Sequence, residues 1–219
     1  MKIFKVILAA AIIAATGSAF AAAQLTISDG VTSATLTDSD SDGIITFGSA
    51  FDSFWNILII TGETKPAIGT ATSPQLDLNI QASSTAGAPN LTITLSDNNF
   101  GPTTGTFSAK QTGSVVGGPG ANMTFNTFYD AGNVVGAQTS PLTSTGSLVA
   151  PNYSSPLEVF SGPFSRPLYS LTEVVTINGM VNASGLYHFD SSLSLVPEPG
   201  TFSLLLAGVA AFGIWRRRK

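Results

Sequence analysis

An all-β fold, an antiparallel β-sandwich of the Ig-like or jelly-roll kind, is predicted for the central part of this chain, and three observations predict it. Between residues 24 and 196 apolar and polar residues alternate with period two over short runs. Turn residues punctuate those runs at close intervals. No stretch repeats apolar residues at helical spacing over a useful length, and no strand–helix–strand spacing of a parallel sheet is present.

The alternation is cleanest in QLDLNIQ (75–81) and NLTITLS (90–96). EVVTIN (173–178) and SLSLV (192–196) read as further strands, as does LYHFD (186–190). WNILIIT (55–61) is more continuously apolar and suits a central, buried strand. Turns are expected at Asp42-Gly43, 86–89, Asn98-Asn99, 117–120, 131–133 and 150–152. Roughly ten or more short strands follow from this spacing, folded as one domain. The organisation read from the sequence is a signal peptide over 1–23, a β-sandwich ectodomain over 24–195, and a C-terminal segment with a single transmembrane helix over 196–219.

Charge separates the ends from the middle. Six of the nine basic residues are Lys2, Lys5, Arg216, Arg217, Arg218 and Lys219. Residues 24–196 keep three basic side chains (Lys65, Lys110, Arg166) against twelve acidic ones, a net charge of −9. A surface of that sign repels phosphate, so nucleic acid is excluded as a partner. Serine and threonine supply 47 of those 173 residues, a polar surface with few long charged side chains. With no cysteine, the domain has neither disulfides nor thiolate chemistry and rests on its core, with bound ions as the other available support.

The N-terminus carries the three parts of a secretory signal. Lys2 and Lys5 give the positive start, residues 3–15 are mostly apolar, and Ala19-Phe20-Ala21 is a small-x-small cleavage site. Cleavage after Ala21 and after Ala23 fit equally. The expected partners are the secretion translocon and a signal peptidase.

At the C-terminus, Pro197-Glu198-Pro199 is followed by an uncharged run over 200–215 and then by Arg216, Arg217, Arg218 and Lys219. The run is short. At about 1.5 Å per residue it spans roughly 24 Å, against about 30 Å of hydrocarbon. Its seven larger apolar residues contribute roughly −2 to −4 kcal/mol to insertion, enough to enter the inner membrane but only marginally. The basic tail acts as a stop-transfer signal and stays in the cytoplasm. Each proline fixes φ and removes an amide donor, so the motif is extended and joins neither a preceding sheet nor a following helix.

The motif, apolar run and basic tail in this order resemble the PEP-CTERM sorting domain. The resemblance implies processing by an exosortase, a membrane cysteine protease, with Pro197, Glu198 and Pro199 as the recognised motif. It also implies export, a transient hold in the inner membrane, release to the cell surface or the extracellular space, and association with exopolysaccharide and biofilm. A looser likeness to the N-terminal part of many PEP-CTERM proteins runs from Ile27 to about Phe100, through ISDG (27–30), DGIITF (42–47), LDLN (76–79) and LTITLSDNNF (91–100). It implies no enzyme activity, and the protein is expected not to be an enzyme.

Few residues elsewhere point to chemistry. Asp38, Asp40 and Asp42 have the D-x-D-x-D-G spacing of a calcium loop, in which alternate carboxylates face one side and Gly43 permits a sharp turn. The twelfth position, where an EF-hand has a bidentate Glu, is Ser49, so the segment is either a calcium loop of another kind or a solvated acidic hairpin. His188 is the single histidine; it forms no multi-histidine zinc site, and no G-x-S-x-G elbow accompanies it. Glu63, Glu158 and Glu173 are acids that nothing in the sequence pairs. Phe51, Phe54, Trp55, Phe128, Tyr129, Phe164 and Tyr169 divide between core positions and platforms for sugar rings. Beyond a matrix protein, two other classes remain open: a glycan- or calcium-dependent adhesion module, and a secreted β-sandwich hydrolase.

Overall fold

The computed structural model describes residues 23–117, 122–149, 151–155, 158–164, 166–179 and 183–196. The predicted signal peptide, apart from Ala23, and the predicted sorting motif, transmembrane helix and basic tail lie outside them. No helix among the described residues is long and apolar enough to cross a membrane.

The described residues form strands only, antiparallel throughout. They are β1 (Gln24–Ser28), β2 (Ser33–Thr37), β3 (Ile44–Ala50), β4 (Trp55–Glu63), β5 (Gln75–Ser84), β6 (Leu91–Phe100), β7 (Thr103–Gly117), β8 (Asn122–Asp130), β9 (Ser140–Ser144), β10 (Leu148–Val149), β11 (Asn152–Ser154), β12 (Glu158–Phe164), β13 (Tyr169–Ile177) and β14 (Gly185–Val196). Two seven-stranded sheets result. The first runs β10-β8-β13-β6-β1-β2, with β9 also on β8; the second runs β11-β7-β14-β5-β4-β3, with β12 also on β7.

The period-two alternation is what packs one sheet on the other. On β5, Leu76, Leu78, Ile80 and Ala82 are buried while their neighbours are half-buried. Tyr187, Phe189, Leu193 and Leu195 of β14 point to the same interior, and Leu25, Ile27, Ile93, Leu95 and Phe125 meet them from the first sheet. Each of the Leu, Ile and Phe side chains contributes about 1.5–3 kcal/mol by leaving water. Gly62 of β4 lies so close beneath Leu95 of β6 that a Cβ there would be 2.8 Å from Leu95 Cδ1. The indole N–H of Trp55 donates to the Pro89 carbonyl at 3.0 Å, which satisfies its polar edge.

Two expectations are corrected. WNILIIT is not a central strand and is buried only in part: Trp55, Ile57 and Ile60 face the core. It lies in β4, next to the edge strand β3, and a bulge between Ile57 and Ile59 turns both Leu58 and Ile59 toward solvent. Asn98-Asn99 is not a turn but the end of β6, where Asn99 takes φ 57° and the pairing with β13 shifts register. Asparagine tolerates that conformation, and Asn133 fastens it: its side-chain oxygen accepts from Asn99 N at 2.7 Å and its amide donates to Asn99 Oδ1 at 2.7 Å. Residues 133–136 thereby cross the outer face of the first sheet. There Ser170 Oγ donates to the Val134 carbonyl and Gly136 N donates to Ser96 Oγ, which is why β13 is buried on both faces.

Candidate functional site

The loop between β2 and β3 is the first candidate. Asp38 N donates to the Ala23 carbonyl at 2.9 Å, extending the β1–β2 ladder by one step and sinking Asp38 below the surface. Asp38 Oδ2 then accepts from Gly43 N at 3.0 Å, closing the loop, and Asp42 Oδ1 accepts from Ile44 N at 2.8 Å. Gly43 takes φ 84° and rests on residues 64–67; a Cβ there would lie 2.6 Å from the Thr64 carbonyl oxygen, so only glycine fits. One carboxylate oxygen from each of Asp38, Asp40 and Asp42 lies within 4.8 Å of the others. The structure therefore brings together the three acids that the spacing singled out.

The second candidate is the outer face of the β4–β5–β14 region. Glu63 and Asp77 are register partners, and Asp190 lies one strand further, opposite Asn79. Burial pushes the Asp77 carboxyl up to about 6, reinforced by the charges of Asp190 and Glu63. His188 is on this face too, exposed, with Gln81 and Ser114 as register partners and no side-chain hydrogen bond among the described residues. Glu173 is not here. It projects from β13 into the interior, 0% exposed, and neither carboxylate oxygen meets a donor among the described residues. Burial drives its pKa well above the ordinary value, with Asp77 and Asp190 adding to the rise. Glu63 and Glu173 thus face opposite sides of their layers and form no acid pair.

The sequence reading missed the polar groups inside the sandwich: Glu173, Gln111 with both ends of its side-chain amide unpartnered, and Thr127 hydrogen-bonded to Thr143 at 2.7 Å. It also missed the Lys65–Asp97 ion pair at 2.6 Å. A strand pattern marks which face a residue occupies, and no local signal tells an inward Glu from an outward one. Of the aromatics, Trp55, Phe164 and Tyr169 are core residues, whereas Phe54 is exposed.

The C-terminal segment follows directly on β14. β14 is an interior strand between β5 and β7, and its last residue, Val196, is still paired with Thr106. Residues 195–219 match the family model described as the PEP-CTERM protein-sorting motif. No curated protein matches the chain. Among solved structures it is distantly similar to TmCBM61 in complex with beta-1,4-galactotriose, at 10% identity and TM-score 0.28 over 69% of this chain and 88% of that one. Another is the enzymatically active domain of the bacteriophage CBA120 tailspike protein 4, at 12% identity and TM-score 0.29, covering 65% of this chain and 20% of that one. A third is infectious bursal disease virus, Gx strain, at 14% identity and TM-score 0.32, covering 80% and 56%. The chain thus carries a PEP-CTERM protein-sorting motif directly after the last strand of the sandwich, and that motif supports an exported protein sorted by an exosortase.

Proposed function

We propose that the β-sandwich is a non-enzymatic component of the extracellular polysaccharide layer, released there after a transient stay in the inner membrane. The translocon and a signal peptidase handle the N-terminus, and residues 200–215 hold the chain until the exosortase acts at Pro197-Glu198-Pro199. The observation that carries this reading is the position of Val196. Every paired residue of β14 precedes Pro197, so cleavage at Pro197-Glu198-Pro199 leaves the described strands whole. The weak insertion energy of the short apolar run suits a temporary hold. The net charge of −9 over residues 24–196 suits a soluble, hydrated matrix component.

Mass spectrometry of the protein recovered from cell surface and medium tests the reading. The expected C-terminus lies within or next to residues 197–199, and an intact Lys219 in the released protein sinks it. A second reading, a glycan-binding adhesion module, is favoured by one observation: Asp77, Asn79 and Gln81 of β5 stand beside His188 and Asp190 of β14 on one open sheet face. Titration of the protein with bacterial exopolysaccharide, with and without Asp190→Ala, separates the two readings. Saturable binding lost in the variant supports the module, and no binding supports a passive matrix component.

A further inference from the structure

We propose that the loop joining β2 to β3 is a calcium site, with Asp38, Asp40 and Asp42 as its carboxylate ligands. The inference does not depend on how the chain is sorted. Calcium–oxygen distances are about 2.3–2.6 Å, so two ligands on opposite sides of one ion stand about 4.6–5.2 Å apart. The three carboxylate oxygens here, all within 4.8 Å of one another, fit around a single ion.

A second, independent observation is the state of Asp38. It is 5% exposed, its Oδ2 is taken by Gly43 N, and its Oδ1 is buried with no partner among the described residues. A buried carboxylate oxygen without a donor or a cation is costly. Among the described residues no basic side chain pairs with it: Lys65, on the segment that Gly43 rests against, is committed to Asp97. A cation among the three oxygens supplies the missing partner and offsets the repulsion between the carboxylates. The all-oxygen donor set selects a hard ion. Asp40 and Asp42 are exposed, so water completes the shell of six to eight oxygens that calcium takes. Such an open site belongs with the extracellular modules, whose Kd is on the order of 10⁻⁴–10⁻³ M.

The position gives the ion a task. β2 is an edge strand of one sheet and β3 an edge strand of the other, so this loop is where the chain passes between sheets at the open side of the sandwich. An ion there ties the two edges together.

The test uses the full chain, purified in detergent and stripped of metal with EDTA. Calorimetric titration with calcium chloride is expected to give one ion per chain, with Kd on the order of 10⁻⁴–10⁻³ M and a melting temperature that rises with calcium. Magnesium, which demands near-ideal octahedral geometry, is expected to bind at least about tenfold more weakly. The double variant Asp40→Asn/Asp42→Asn is expected to lose calcium affinity at least about tenfold with an unchanged circular dichroism spectrum. Its exposed side chains carry no buried charge, and asparagine keeps the acceptor for Ile44 N, so it avoids the folding cost of changing Asp38. Neither heat nor a thermal shift at about 10 mM calcium, well above that Kd range, overturns the proposal, as does wild-type affinity in the double variant.

Discussion

Lys65 and Asp97 clasp the two sheets at one end of the sandwich. The Lys65 ammonium, just past the end of β4, lies 2.6 Å from Asp97 Oδ2 on β6, donates to the Asn98 carbonyl at 2.6 Å and sits 4.3 Å from the centroid of the Phe100 ring. Thr64 Oγ1 adds a hydrogen bond to the same carboxylate oxygen at 2.8 Å. Burial still outweighs these partners and leaves the Asp97 pKa raised. Removing the lysine strands a buried acid, so Lys65→Met is expected to cost about 3–5 kcal/mol. Urea unfolding followed by tryptophan fluorescence measures it, and a loss below about 1 kcal/mol, the range of exposed pairs, contradicts the clasp.

The pH dependence of stability has an unusual sign. Glu173 is raised well above its ordinary 4.5, and Asp77 rises from 3.8 to about 6. Above those ordinary values the unfolded chain releases protons that the folded chain keeps, so stability falls as pH rises, by up to about 1.4 kcal/mol per unit for each proton. Burial pushes Asp29 and Asp130 up as well, but N–H donors from Thr32 and Val31, and from Val134, outweigh it and hold both below 3.8. Their contribution is complete above that value and is lost as pH drops. Melting temperature is therefore expected to peak at about pH 4–5 and decline toward neutrality. Glu173→Gln is expected to flatten the decline above pH 5; an equal slope in wild type and variant assigns it elsewhere.

Ala23 bears on the mature N-terminus. It is 2% exposed and its carbonyl accepts from Asp38 N. Cleavage after Ala23 removes both the buried methyl and that hydrogen bond, whereas cleavage after Ala21 keeps them. Amino-terminal sequencing of the exported protein is expected to begin at Ala22, and a protein beginning at Gln24 refutes this.

Legibility followed the range of the interaction. β5 and β14 were readable because their alternation is local, and the sorting motif because its parts are contiguous. The place of WNILIIT was not readable: β4 lies next to the edge strand β3, and a bulge rotates Leu58 and Ile59 outward. Nor was the burial of Glu173, which depends on Leu95 and Thr127 on flanking strands distant in sequence. The aspartate loop lay between these cases. The spacing of its three acids could be read, while the depth of Asp38 comes from pairing with a residue fifteen positions earlier.

Glu198 is the one charge between Asp190 and Arg216. In the function proposed above, Pro197-Glu198-Pro199 offers the exosortase one carboxylate to recognise. Glu198→Ala is expected to accumulate as a membrane-held chain that retains Lys219, detected by intact mass of the membrane fraction. Processing at the wild-type rate removes Glu198 from the recognised motif.

Two glycines separate rigid from forgiving contacts in the core. A Cβ on Gly113 of β7 would lie 2.4 Å from Phe189 Cβ and 2.6 Å from the His188 carbonyl oxygen, both held by the β7–β14 ladder. A Cβ on Gly62 would meet only the Leu95 side chain, which has rotamers to move into. Overpacking a core costs about 1–3 kcal/mol where neighbours cannot shift. Gly113→Ala is therefore expected at or above the top of that range and Gly62→Ala near its bottom. Trimming the neighbour distinguishes them further: Leu95→Val is expected to soften the cost of Gly62→Ala in a double-mutant cycle. No trimming of Phe189 short of the backbone makes room at Gly113. Equal losses for the two alanine variants, measured by urea unfolding, contradict the packing described around these two glycines.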